Sequence, residues 1–218
     1  MIGFAITLLI VSLEVPQTFD DLLTAVRGFA AFAISFAFIL LIWHEHNLFF
    51  RRFGLQGSRV LILNSMLLFL ILFYVYPLKF LITLTVNPLL GANMFVVSAS
   101  GELLPMIRDE QVPLLFLLYA LGWTALFSIF ALFYQHALSH RVSLELSAVE
   151  VFLTRANMIE YALAAGLGVA STLLALTQPP AYLSFAGWIF LLMFPIDWLM
   201  KRWKQSRRTA IETAGEFS

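Results

Sequence analysis

The stretch VLILNSMLLFLILFYVYPLKFLI, residues 60–82, decides the architecture. Its only formal charge is Lys79, close to one end. As a helix it would reach roughly 35 Å, beyond the ~30 Å hydrocarbon core of a bilayer. A helix this apolar on every side has no wet face, so lipid or other helices must surround it. Asn64, an amide in that setting, needs a hydrogen-bond partner on another helix. Pro77 lacks the N–H that the preceding turn would use and predicts a kink unless neighbouring groups compensate.

Working outward, five further apolar stretches occupy about residues 2–13, 22–50, 112–134, 158–176 and 182–200. The first reaches only about 20 Å and needs neighbours or a thinned bilayer to span. Residues 51–58 hold Gly54 and Gly57 and form a tight turn, so the stretches on either side pair as a helical hairpin. Residues 87–111 are the longest polar segment and predict an outer loop with a short surface helix. Residues 143–154 look amphipathic and interfacial, with Glu145 and Glu150 on the wet side. Pro179 and Pro180 end the fifth stretch.

Basic residues sort between the two ends of these stretches. Arg51, Arg52, Arg59, Arg141, Arg155, Lys201, Arg202, Lys204, Arg207 and Arg208 fall at one side, and only Arg27, Lys79 and Arg108 at the other. Short loops rich in Lys and Arg remain cytoplasmic, which puts both termini inside. The expectation is an all-α polytopic membrane protein, with residues 1–218 forming a single domain of six transmembrane helices and both termini cytoplasmic.

Composition agrees with a bilayer as the main surroundings: 61% of the 218 residues are hydrophobic and 12% charged, with a mean hydropathy of +0.90. A soluble domain is nearer half apolar and a quarter charged. Thirteen cations balance thirteen anions, so no basic surface calls for nucleic acid. Cysteine is absent, which removes disulfides, thiolate metal sites and cysteine nucleophiles. Residues 1–13 lack the positive n-region and small-residue cleavage site of a signal peptide. No nucleotide loop, catalytic triad or paired catalytic carboxylates are visible, which leaves no catalytic residues to name and argues against an enzyme.

The polar residues near the membrane boundaries carry whatever chemistry there is. Trp43-His44-Glu45-His46 places two histidines two apart, on different sides of a helix, a poor chelating pair. His46 turned inward to hydrogen-bond another helix is the better reading. His136 and His140 are four apart and share a face, but no third ligand accompanies them, so no metal site is assigned. Asp197 and Lys201 are also four apart, which predicts a local ion pair, and Glu160 is expected to face Arg155 or Arg141. Intramembrane acids are functional candidates, so Asp197, Glu160 or His46 could also serve a proton relay. In the first stretch, Phe4, Thr7 or Leu8, and Val11 fall on one helical face. By spacing alone, that stripe serves lipid or core packing.

Three passages resemble the transmembrane protein 175 family, potassium channels of endolysosomes and their prokaryotic relatives. Residues 4–16, FAITLLIVSLEVP, match the latter part of the family's first helix. Trp43, His46, Leu48 and Phe49 match the end of its second, and Leu63-Asn64 with Pro77 match its third. The remaining stretches agree in number and sidedness only. The Phe-Ser-Asp that opens the family's first helix would precede Met1 by this count and is missing from the sequence.

The resemblance implies a homotetramer in a prokaryotic plasma membrane, with the first helix of each subunit lining the pore. Phe4, Thr7, Leu8 and Val11 would then face the axis as rings, forming an apolar constriction that gates by dewetting. Thr7 hydroxyls would offer oxygen ligands to potassium. Trp43, His46 and Asn64 would form an interhelical polar network. The partners implied are the lipid bilayer, monovalent cations and three further copies of the chain, with no cofactor beyond potassium as the permeant ion. Two other readings stand beside it: a non-conducting structural or regulatory relative of the same fold, and a small proton-coupled transporter.

Overall fold

The computed structural model describes Gly3, Thr7 and residues 17–89, 95–97, 101–177 and 187–215. Among these residues five α-helices dominate: α1 Phe19–Phe53, α2 Ser58–Leu89, α3 Val112–Ser139, α4 Ala148–Thr177 and α5 Met193–Gly215. A small hairpin, β1 Phe95–Val97 with β2 Leu103–Pro105, lies between α2 and α3. It is antiparallel, with Val96 opposite Leu104. Short 3-10 turns, Asp109–Gln111 and Ile189–Leu192, lead into α3 and α5.

The expectation of six transmembrane helices, with the topology drawn from that number, is overturned. Among the described residues four helices are long and apolar enough to cross a bilayer: Phe29–Phe53, Ser58–Leu89, Asp109–Ser139 and Ala148–Thr177. The sixth apolar stretch fails for a physical reason. Its described part, residues 187–200, opens with a 3-10 turn and then enters α5, whose single helix carries Asp197, Lys201, Arg202, Lys204, Arg207 and Arg208. That helix breaks its apolar run at Asp197 and carries five cations from Lys201 to Arg208, so it lacks the unbroken apolar length of a crossing helix. The first stretch lies outside the described residues apart from Gly3 and Thr7. The all-helical polytopic membrane class stands, with four candidate spans and a two-stranded hairpin.

Helix boundaries follow local chemistry. Gly54 takes a left-handed φ of 57°, and its N–H bonds the Phe50 carbonyl at 3.0 Å, closing α1 just after Arg51 and Arg52. Ser147 caps α4: the Glu150 N–H reaches Ser147 Oγ at 3.3 Å, and the Ser147 N–H donates to Glu150 Oε2 at 2.9 Å. This reciprocal box makes one helix of residues 148–177, where an interfacial segment separate from the fifth stretch was expected. α2 runs through Pro77 and Pro88 with its helix unbroken.

The chain divides into two compact units. The first comprises Met1–Leu48 and Leu68–Gln111 and contains the β-hairpin. There, Ala31, Ser35 and Ile39 are buried at four-residue spacing on α1, and the Ser35 hydroxyl bonds the Ala31 carbonyl at 2.8 Å. The hairpin sits where an outer loop with a short surface helix was expected, and Gly101, with φ 82°, supports its turn.

The second unit comprises Phe49–Leu67 and Val112–Ser218. α3 and α4 pack along one another through small residues. Ala120 and Gly122 on α3, and Ala164, Ala165, Gly168, Ser171 and Ala175 on α4, are buried. Small side chains let two helix backbones approach closely in a bilayer. At Gly168 the approach is closest, since an added Cβ would run into Thr124 Oγ1 and come within 3.0 Å of the Ala120 carbonyl oxygen. The Trp123 indole N–H donates to the Ala164 carbonyl at 2.8 Å, crossing the same seam. Elsewhere in this unit Phe49 packs tilted against Phe133 at 5.1 Å and edge-on against Tyr134 at 5.2 Å, and Tyr134 stacks on Tyr161 at 5.4 Å. Phe49 and Phe133 are completely buried there.

Candidate permeation stripe and the charged inner end

Of the four stripe residues, Thr7 alone lies within the described residues; Phe4, Leu8 and Val11 lie outside them. Thr7 is helical and exposed, and its hydroxyl donates to the Gly3 carbonyl at 2.7 Å. A hydroxyl that gives its proton to its own helix keeps oxygen lone pairs available to a cation.

Trp43 and His46 stand three apart on α1 and so share a face. Trp43 is 43% exposed and His46 half-buried. Asn64, half-buried, lies in the second turn of α2. His46 and Asn64 both engage neighbouring groups. Trp43 and His46 belong to the first unit and Asn64 to the second.

The second unit gathers most of the cations at one end. Arg59 lies within electrostatic range of His136, and Arg52 of Glu150. Trp203 of α5 packs edge-on against Phe152 of α4 at 4.9 Å. The α1–α2 turn, the start of α4 and the basic part of α5 therefore share one end of this unit. The one-sided distribution read from the sequence is thus also a spatial one in this unit.

Two acids on that side are tied to lysines. Asp197 accepts from Lys201 at 2.7 Å, the local pair that four-residue spacing predicts. Partial burial alone would lift the Asp197 carboxyl. Hydrogen bonds with Lys201 and Glu160 and the charges of Lys201 and Lys204 prevail, holding it below its ordinary range. The bond to Asp197, then its charge, holds the Lys201 ammonium above its own.

Glu160 departs from expectation. Its partner is Lys204 of α5, and both side chains are largely buried. Arg155 and Arg141 are nearer in sequence, but Lys204 is 44 residues away and arrives only because α5 lies along α4. A glutamate in an Ala- and Gly-rich apolar run signals that some cation must meet it, without saying which.

His136 and His140 do share a face. Their rings lie 4.4 Å apart, and His140 Nδ1 sits 3.0 Å from the His136 carbonyl. The His136 ring is buried, and its Nδ1 meets no hydrogen-bond partner among the described residues. No three potential ligands converge on a metal site among those residues.

Comparison with known proteins places this arrangement. The family model described as "Endosomal/lysosomal potassium channel TMEM175" matches residues 1–74, the part that holds the stripe, Trp43, His46 and Asn64. A protein of Marivirga tractuosa named "Potassium channel" is 33% identical over 211 residues, covering 94% of this chain and 85% of that protein. The crystal structure of a variant of the potassium channel MtTMEM175, bound to a nanobody–MBP fusion, superposes with a TM-score of 0.80. It is 32% identical, and the match covers 94% of this chain and 89% of that one. Identity at this level over nearly the full length of both chains is far more than shared helix count would give, and the chain belongs to the TMEM175 family.

Proposed function

We propose that this protein is a potassium-permeable cation channel of a prokaryotic plasma membrane, built as a homotetramer around its first apolar stretch. The observation that carries the reading is the 33% identity, over 94% of the chain, to a protein named as a potassium channel. Phe4, Leu8 and Val11 of four copies form successive apolar rings around the axis, narrow enough to dewet and close the path. Thr7 adds a ring of hydroxyl oxygens that can replace part of a cation's hydration shell. Trp43, His46 and Asn64 brace the helices behind that lining. Potassium is the permeant ion and no cofactor takes part. The family assignment supports a transport role over an enzymatic one.

Among the alternatives, a proton-coupled transporter would need acids free to load and release protons. The Asp197–Lys201 and Glu160–Lys204 pairs engage two of its candidates. Potassium efflux from liposomes containing the purified protein tests the proposal. The expected result is efflux that quickens when Leu8→Ala widens the constriction. Protein that inserts as a tetramer yet passes no potassium, in wild type or variant, would leave the non-conducting relative as the better reading.

A further inference from the structure

Cysteine is absent, so the thioethers of seven methionines are the sulfur chemistry this chain offers. Among the described methionines, Met66, Met158, Met193 and Met200 sit on α2, α4 and α5, and Met106 alone lies outside a helix. It follows β2 in the segment that joins two candidate spans, and such a segment returns to an aqueous face, where small oxidants are dissolved. Its side chain is half-buried.

The backbone is fixed on both sides of Met106. Pro105 precedes it with a locked φ. After it, the Arg108 N–H donates to Gln111 Oε1 at 3.0 Å and the Gln111 N–H to the Arg108 carbonyl at 2.8 Å, closing the 3-10 turn. The sulfur is thereby held against α2, where the Asn87 side-chain amide donates to Met106 Sδ at 3.8 Å. The two residues are 19 apart in sequence, and both belong to the first unit. A thioether is a weak acceptor, so this bond contributes little as it stands. The distance suits a stronger one. A sulfinyl oxygen on that sulfur, set off the line to the amide nitrogen, comes to roughly 2.9 Å from it, a full hydrogen bond made with neither residue moved.

We propose that Met106 is an oxidation site whose sulfoxide is captured by Asn87, fastening the β-hairpin to the end of α2. The oxidant is a hydroperoxide. The sulfur lone pair attacks one peroxide oxygen, and the O–O bond breaks as the S–O bond forms. The proton on the transferred oxygen moves to the departing one, which leaves as alcohol or water. Sulfur gives up two electrons and the peroxide gains them, so no further reactant is needed. A two-stranded hairpin is marginal on its own, and one added tie therefore shifts its opening equilibrium measurably. The thioether form leaves the hairpin loosely held, and the sulfoxide form secures it. The site does not depend on conduction.

The test treats the full chain in lipid nanodiscs with hydrogen peroxide. Peptide mass spectrometry reads the oxidised fraction at each methionine, and amide hydrogen exchange reads the hairpin. Met106 is expected to be oxidised faster than Met158. Exchange in residues 103–107 should then slow by about fivefold, the weight of one ordinary hydrogen bond. Asn87→Asp keeps the size of the side chain and removes its N–H donors. It should leave Met106 oxidisable while abolishing the slowing. Met106→Leu should show no exchange response to peroxide, whatever happens at the other methionines. A Met106 that stays reduced while Met158 is modified overturns the proposal. So does oxidation of Met106 that leaves hairpin exchange unchanged or quickens it, and so does slowing that persists in either variant.

Discussion

Gly166 and Gly168 lie two residues apart on α4, on nearly opposite sides of the helix, and meet opposite demands. A Cβ at Gly168 would collide with Thr124 and crowd Trp123 and the Ala120 carbonyl, whereas one at Gly166 meets nothing within 4 Å. Gly168→Ala is therefore expected to force the α3–α4 seam apart at a cost of about 1–3 kcal/mol. Gly166→Ala is expected to be neutral, or to stabilise by up to about 1 kcal/mol through its better helix propensity. Thermal unfolding of the two variants in one detergent compares them directly, and equal melting points would refute the close approach. The alternation of small residues in GLGVAS was visible in the sequence as an Ala- and Gly-rich run. Which glycine the neighbouring helix needs was not, because that depends on where Thr124 falls across the seam.

At the scale of elements, the contacts that tie α5 to α4 among the described residues include the largely buried Glu160–Lys204 ion pair and the Phe152–Trp203 aromatic contact. Removing a single partner of a largely buried pair leaves an uncompensated charge, typically at a cost of about 3 kcal/mol. Lys204→Met is expected to loosen α5, seen as faster amide hydrogen exchange in residues 196–208. Adding Glu160→Gln should recover most of the loss, because no lone charge then remains. Identical exchange in wild type and Lys204→Met would sink the assignment. Acid should act in the same direction through Asp197. Its folded-state value is lowered, so its contribution is present above its ordinary value of about 4 and is lost as pH falls through the lower folded value. Protection of the α5 amides, taken relative to their intrinsic exchange rate at each pH, should therefore fall in that acid window; unchanged protection across it would contradict the pairing. Local pairs such as Asp197–Lys201 could be read directly, since helical periodicity alone brings them together. The Glu160–Lys204 pair could not, because a tertiary contact chose it over nearer arginines.

For the whole molecule, hydropathy identified the four long spans seen among the described residues and overcounted at α5. Apolar letters do not reveal whether a segment crosses the bilayer or ends in a charged helix at its surface, and α5 is the case in point. Recognition of the family rested on residues 4–77, close to the 1–74 matched by the family model. The small-residue seam and aromatic cluster of α3 and α4 offered no comparable motif. The proposed pore makes its own prediction at this scale. Thr7→Ala removes the hydroxyl that bonds Gly3 and with it a fourfold ring of oxygen ligands. The reversal potential under a potassium/sodium gradient should move toward zero while current persists; an unchanged value would exclude Thr7 from selectivity.

The way α3 meets α4 also bears on how the protein is made. A turn of only residues 140–147 joins two long apolar helices, and the indole of one already satisfies a carbonyl of the other. Such a pair can leave the translocon together, since its awkward polar groups find each other before lipid reaches them. The segment that follows α4, with α5, would then mature onto a finished surface, and errors in biosynthesis should concentrate in the parts that must wait for it.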